Sequence, residues 1–309
     1  MRRSYGDTVI ATVSYADIFA YPLTLDEIRH WVVGTTHRGK PDAGTLHSLT
    51  IVHDRGQTYA VLKGREHLVA LRNARRRTAK KKWLIARRVA LLFRIIPSVE
   101  LIGITGGLSM DNVTASDDID VFIIAREGTL WATRLWVTVL ADIIGIRRHP
   151  HDRTVADKVC LNMFMDDGSL AVPTRDRDLF AAHEVLQMKP VWERNGAYGM
   201  FLRANRWAAA FLPNAWKEKV NVLRISYYEK SRQETRSFMR TACTALLRLS
   251  EPVVRNIQLR YMQKSRTKEV VSDMLIRFHP LDARIRVKKE LDRRLRKYNM
   301  PLDKFFYDR

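Results

Sequence analysis

Cysteine is nearly missing from this chain: Cys160 and Cys243 are the two in 309 residues. Two thiols cannot build a disulfide framework or fill a cysteine-based zinc site alone, so the composition points to a reducing, cytoplasmic setting. Long uncharged apolar runs are missing too. The most apolar window, 129–146, carries Arg134 and Asp142, which reads as a buried or amphipathic helix and not a membrane span. The opening residues, MRRSYGDT, run into charge and turn formers instead of the apolar core of a signal peptide. The phosphate-loop pattern, the His-Glu-x-x-His zinc motif and the Gly-x-Ser-x-Gly nucleophile turn do not occur. His149-Pro150-His151-Asp152 sets two histidines around a proline and reads as a loop before it reads as a metal site.

Acidic residues are outnumbered, 33 Asp and Glu against 54 Lys and Arg, for a net charge of +21. Such an excess suits a polyanionic partner, nucleic acid before membrane. With 46% hydrophobic residues the chain can bury proper cores. The charge is uneven: residues 1–100 are net +10, 101–200 net −4 and 201–309 net +15. A carboxylate-rich middle can hold cations, and basic flanks can hold a phosphate backbone or simply keep the protein soluble.

In the N-terminal flank, Thr24-Leu25-Asp26-Glu27 has the spacing of a capping box and opens an amphipathic helix through Ile28, Trp31 and Val32. Leu49 to Val52 reads as a strand, Asp54-Arg55-Gly56 as a turn and Tyr59 to Leu62 as the return strand. Short helices followed by a hairpin suggest a winged-helix-like unit. Arg75 to Lys82 packs six basic residues into eight. That segment could line a phosphate backbone, or be the solvated side of a helix whose Leu84, Val89, Leu92 and Ile95 pack on the next domain.

From Val99 the text changes. Val99 to Ile104 is strand-like, Thr105-Gly106-Gly107-Leu108-Ser109 ends it, and a polar loop leads to Asp118-Ile119-Asp120-Val121 at the head of a second apolar run. Period two puts Asp118 and Asp120 on one face of that strand. Two adjacent carboxylates repel unless a divalent cation neutralises them, and Mg²⁺ favours a carboxylate pair completed by water and phosphate. Glycines at Gly106 and Gly107 let backbone N–H groups approach a triphosphate, with Ser109 adding a hydroxyl.

A strand ending in Gly-Gly, ten intervening residues, then Asp-apolar-Asp-apolar resembles the nucleotidyltransferase superfamily with the DNA polymerase beta-like fold, over residues 99–180. The resemblance implies a metal-dependent transfer of NMP from an NTP, such as ATP, with Asp118 and Asp120 holding Mg²⁺ or Mn²⁺. It also implies a third carboxylate from a neighbouring strand. The matching slot in Val159 to Met165 holds Asn162, which can coordinate through its carbonyl but cannot act as a base. Asp157 and Asp166 are nearby substitutes, and Lys158 could meet a phosphate.

Beyond His183 the pattern is helical, with helices expected at about 218–248, 251–276 and 281–298. Arg203, Asn205, Arg206 and Trp207 offer charge, amide and ring to a base or phosphate, or a helix core. The expected architecture is α+β: a winged-helix-like domain at 1–98, a mixed-sheet nucleotidyltransferase core at 99–180 and a helical domain at 181–309. The basic flanks favour a nucleic-acid 3′ end, RNA first, as acceptor, with no membrane partner. Two alternatives stand: transfer to a protein or small molecule, and a non-catalytic nucleic-acid-binding regulator that keeps the fold.

Overall fold

Capping residues start the first helices. Ser4 accepts from the Asp7 N–H and opens α1 (Tyr5–Ile18). Thr24, at the end of the short strand β1 (Leu23–Thr24), closes the expected capping box with Glu27 at 2.9 and 3.2 Å and opens α2 (Leu25–Trp31). After the single turn of α3 (Ala43–Leu46), β2 (Thr50–Asp54) and β3 (Gln57–Val61) form the hairpin. Its turn holds Arg55 and Gly56 at positive φ, the geometry that matches strand twist. β1 pairs with β3, giving a three-stranded antiparallel sheet. The computed structural model describes residues 4–36, 41, 43–150, 152–230, 238–263, 270–271, 275–277 and 283–307. His151 and residues 278–280 therefore lie outside the described residues.

The long helix α4 (Leu68–Phe93) leads into β4 (Val99–Ile104), the one-turn α5 (Gly106–Ser109) and β5 (Ile119–Ala125). Helix α6 (Leu130–Ile143) crosses over to β6 (Val159–Asp166), parallel to β5. Then follow α7 (Leu179–Gln187), β7 (Lys189–Glu193), α8 (Ala197–Ala204), α9 (Ala208–Phe211), α10 (Pro213–Lys230) and α11 (Phe238–Gln263). The chain ends with β8 (Val270–Val271), β9 (Leu275–Arg277), α12 (Ala283–Arg296) and α13 (Asp303–Phe306). The second sheet has the order β7-β4-β5-β6-β9-β8, mixed in direction, so the class is α+β, as expected.

Three segments depart from the helical reading of the C-terminal flank. Residues 189–193, 270–271 and 275–277 supply strands that extend the sheet beyond β4 and β6. Pro190 sits in β7, on the sheet's edge, where a residue without an N–H is tolerated. Residues 75–82 belong to α4, whose packed side is Ala79, Ala86, Val89, Ala90 and Phe93. Leu84 and Ile95, expected inside, are 56% and 63% exposed.

Strand β5 organises the core. Ile119, Val121 and Ile123 face α4 and α6, packing with Phe93, Trp131 and Val137. Phe122 and Ile124 face the other way, into a cluster with Val13 of α1, Leu186 of α7, Phe201 of α8 and Leu291 of α12. Each such buried side chain contributes about 2 kcal/mol. The N-terminal, central and C-terminal stretches thus share one apolar cluster, and α1 and α7 cover the face of β5 to which Asp118 and Asp120 belong. Among the described residues no helix is long and apolar enough to cross a membrane.

Candidate functional site

At the end of β4 the Thr105 N–H donates to the Asp120 carbonyl at 3.1 Å. The chain then turns at Gly106 with φ +62°. A Cβ on Gly106 would stand 2.3 Å from Oδ2 of Asp120, so only glycine lets the turn lie against that carboxylate. A Cβ on Gly107 would stand 2.9 Å from the Asn112 carbonyl oxygen, so the second glycine lets the following loop fold back. Ser109 is buried, and its hydroxyl donates to the Gly106 carbonyl at 2.8 Å. That bond ties the turn together from inside.

The carboxylates of Asp118 and Asp120 and the thiol of Cys160 offer ligand atoms within 4.8 Å of one another. Cys160 is the register partner of Asp120 across the parallel strands. Burial, then the charge of Asp118, then that of Glu184 push the Asp120 carboxyl up to about 7. Burial and the same two aspartates raise the Cys160 thiol, which therefore stays protonated in the metal-free protein. Two hard carboxylate oxygens suit Mg²⁺ or Mn²⁺, which complete their shells with water or phosphate. Arg148 donates to Asp118 Oδ2 at 2.6 Å and is the site's own cation.

The other predicted residues are not gathered here. A bulge in β6 places Val121 opposite Leu161 and Phe122 opposite Met163, leaving Asn162 as the extra residue. The slot beside Asp120 therefore belongs to Cys160. Asn162 is 5% exposed, its Oδ1 has no hydrogen-bond partner among the described residues, and it borders a cavity of about 90 Å³ with Thr105 and Glu184. Lys158 is paired with Asp152 at 2.9 Å. Asp157 binds Lys82, and Asp166 accepts from Gly128 and Gly168 at the far end of β6. Asn205 is fully buried and bonds Val172, Leu170 and Phe201, while Trp207 donates to it; both serve packing.

Two contributors escaped the sequence reading. Glu184, on α7, raises both Asp120 and Tyr15, yet nothing in its local pattern sets it apart from any helical glutamate. Lys82 is 1% exposed, and its ammonium bonds the Ala115 carbonyl at 3.3 Å, the Asp117 carbonyl at 2.6 Å and Asp157 at 2.6 Å. Trp83 bonds Asp111, and Arg75 bonds Asn112. The basic run of α4 thus anchors the loop that carries the aspartates. Its other side chains, Arg76, Lys80 and Arg87, line a groove of about 760 Å³ with Trp83, Lys189 and Trp192. No protein-family model, no curated protein and no solved structure matches the chain.

Proposed function

We propose that the chain is a metal-dependent nucleotidyltransferase that moves an NMP from an NTP to an acceptor hydroxyl. One observation carries the reading: the Gly106 turn lies against the Asp118–Asp120 pair so closely that any side chain there would collide with Asp120. A phosphate-approachable turn beside two crowded carboxylates is an arrangement that a divalent cation and a triphosphate would complete. Asp118 and Asp120 would hold Mg²⁺ or Mn²⁺, which supplies charge neutralisation on the phosphates and on the leaving pyrophosphate. The backbone at Gly106 and Gly107 would steady the triphosphate.

A nucleic-acid 3′ end, RNA first, is the acceptor we favour. The groove along α4 interleaves Arg76, Lys80, Arg87 and Lys189 with Trp83 and Trp192, and cations beside stacking rings suit a single strand. The rival reading is a non-catalytic binding protein that keeps the fold. It is favoured by Arg148, which already neutralises Asp118, and by the lack of a carboxylate beside Asp120 on β6.

The test is label transfer from α-labelled NTPs with Mg²⁺ and a pool of small RNAs, resolved for RNA, protein and small products, beside Asp118→Ala/Asp120→Ala. Label on RNA that vanishes in the variant supports the proposal. Label on protein or on a small product keeps the chemistry and changes the acceptor. No transfer, with RNA bound equally by both proteins, would sink the catalytic reading.

A further inference from the structure

Between α1, α2 and α7 lies a cavity of about 120 Å³ whose far wall is the Gly106–Gly107 turn. Tyr15, Phe19, Tyr21 and Trp31 give it flat apolar sides. His183, 4% exposed, stacks on Tyr15 with centroids 4.0 Å apart and planes 9° from parallel. The Gln187 amide nitrogen lies 3.1 Å from His183 Nδ1. With the Gln187 amide donating, Nδ1 accepts and the ring proton sits on Nε2. That Nε2–H has no partner among the described residues. A buried donor without an acceptor is destabilising, and a native fold retains one where a ligand or water satisfies it.

We propose that this cavity takes the base of the nucleotide, a planar heteroaromatic ring with an acceptor on its edge. The inference rests on the proposed function and extends it, because it assigns base binding to helices α1, α2 and α7, outside the Gly-Gly turn and the aspartates. The flat aromatic sides suit the faces of a base. The His183 Nε2–H suits a ring nitrogen or carbonyl on its edge. The sugar and phosphates would then leave past Gly106 and Gly107, toward Asp118 and Asp120. An apolar ligand of the same size would leave His183 unsatisfied, and inorganic phosphate alone would gain nothing from the rings.

The test compares binding of ATP, CTP, GTP, UTP, tripolyphosphate and the four nucleosides by calorimetry and ligand-observed NMR. It uses the wild type, Ala16→Phe, which fills the cavity from α1, and His183→Phe, which keeps the stacking and removes the donor. Thermal melts identify any variant that fails to fold, and the two substitutions act from different helices. We expect at least one NTP to bind tenfold or more tighter than tripolyphosphate. We expect both variants to erase that advantage, while metal-dependent tripolyphosphate binding changes less than twofold. NTP and tripolyphosphate binding equally, or folded variants that keep the full advantage, would overturn the cavity assignment and leave the aspartate site standing. Nucleosides that bind and are lost in both variants, without any metal-dependent label transfer, would support the cavity and count against the transferase reading. Binding of neither NTP nor nucleoside would overturn both.

Discussion

The ammonium of Lys82 lies 2.6 Å from the carbonyl oxygen of Asp117, the residue immediately before Asp118. A lysine in the middle of α4 thus fixes where the strand that carries the aspartate pair begins. All three of its N–H groups are used, on two carbonyls and one carboxylate. We expect Lys82→Met to cost about 3 kcal/mol, from two orphaned carbonyls and a lost ion pair. Chemical denaturation reads that loss. The variant should also bind Mn²⁺ more weakly even where it is folded, because the loop at 111–118 loses its anchor.

Gly106→Ala should be worse than an ordinary turn substitution. The left-handed φ alone costs an alanine about 1 kcal/mol, and the new methyl group meets Asp120 Oδ2 at 2.3 Å. We expect the Tm to fall and Mn²⁺ binding to drop at least tenfold, whereas Gly145→Ala, also at positive φ but with open space around it, should lower the Tm modestly and leave metal binding untouched. Equal effects of the two would show that strain, not the carboxylate contact, sets the requirement for glycine.

The elements that formed as read are those whose signals are local. The capping box at Thr24, the turn at Arg55–Gly56 and the alternation through Ile119, Val121 and Ile123 each rest on a few neighbouring residues. The aspartate pair and the glycine turn were legible for the same reason. Asn162 was placed by assuming an unbroken period of two, and the bulge between Leu161 and Met163 breaks it. A bulge depends on how two strands settle together, which one strand's sequence does not carry. Glu184 reaches Asp120 only because α7 packs over β5. Lys82 looked like a solvated cation because its carbonyl partners lie more than thirty residues away. The strands at 189–193 and 275–277 form by pairing with β4 and β6, and 270–271 pairs with 275–277, a tertiary effect that outweighs local helical pattern.

The Asp120 carboxyl, raised to about 7 by burial, Asp118 and Glu184, makes metal-free stability depend on pH. A carboxyl with a raised folded pKa holds more protons folded than unfolded between about 4 and 7, so stability falls as pH rises through that window and is flat above it. Lost stability should be of the order of a few kcal/mol. If Mg²⁺ binds the pair as proposed, it takes the place of the proton, so the Tm gain on adding Mg²⁺ should be large at pH 8 and small at pH 5. Asp120→Asn should flatten this part of the profile and abolish the Mg²⁺ gain. A Mg²⁺ gain of equal size at pH 5 and pH 8 would be inconsistent with a titrating Asp120.

His183 acts in the opposite direction. Burial, with a smaller push from His30, lowers its imidazole to about 3. An imidazole that stays neutral when folded but charges when unfolded withdraws stability as pH falls from about 6.5 toward 3. His183→Phe should therefore resist acid better than the wild type over that range, although it loses the donor to the cavity. Urea denaturation at pH 4, 5 and 7 would show the two curves converging or crossing at low pH; parallel curves would mean that another group governs acid unfolding.

Arg148 sets the balance between the two readings of the site. Its guanidinium sits 2.6 Å from Asp118 and lowers the Asp120 carboxyl against the burial that raises it. In the metal-free protein it therefore does part of a cation's work. If Arg148 and a divalent ion compete for Asp118, Arg148→Ala should tighten Mn²⁺ binding about threefold to tenfold, as read by electron paramagnetic resonance of free Mn²⁺. The same variant should lower the metal-free Tm, because two crowded carboxylates lose their counter-charge. With Mn²⁺ bound, Arg148 would be released toward the triphosphate, so label transfer should fall even as metal affinity rises. Opposite signs for metal affinity and transfer are what a displaced arginine requires. Weaker Mn²⁺ binding in Arg148→Ala would instead assign Arg148 to holding Asp118 in place, and unchanged binding would mean that its contact with Asp118 is a permanent ion pair to which the metal is indifferent.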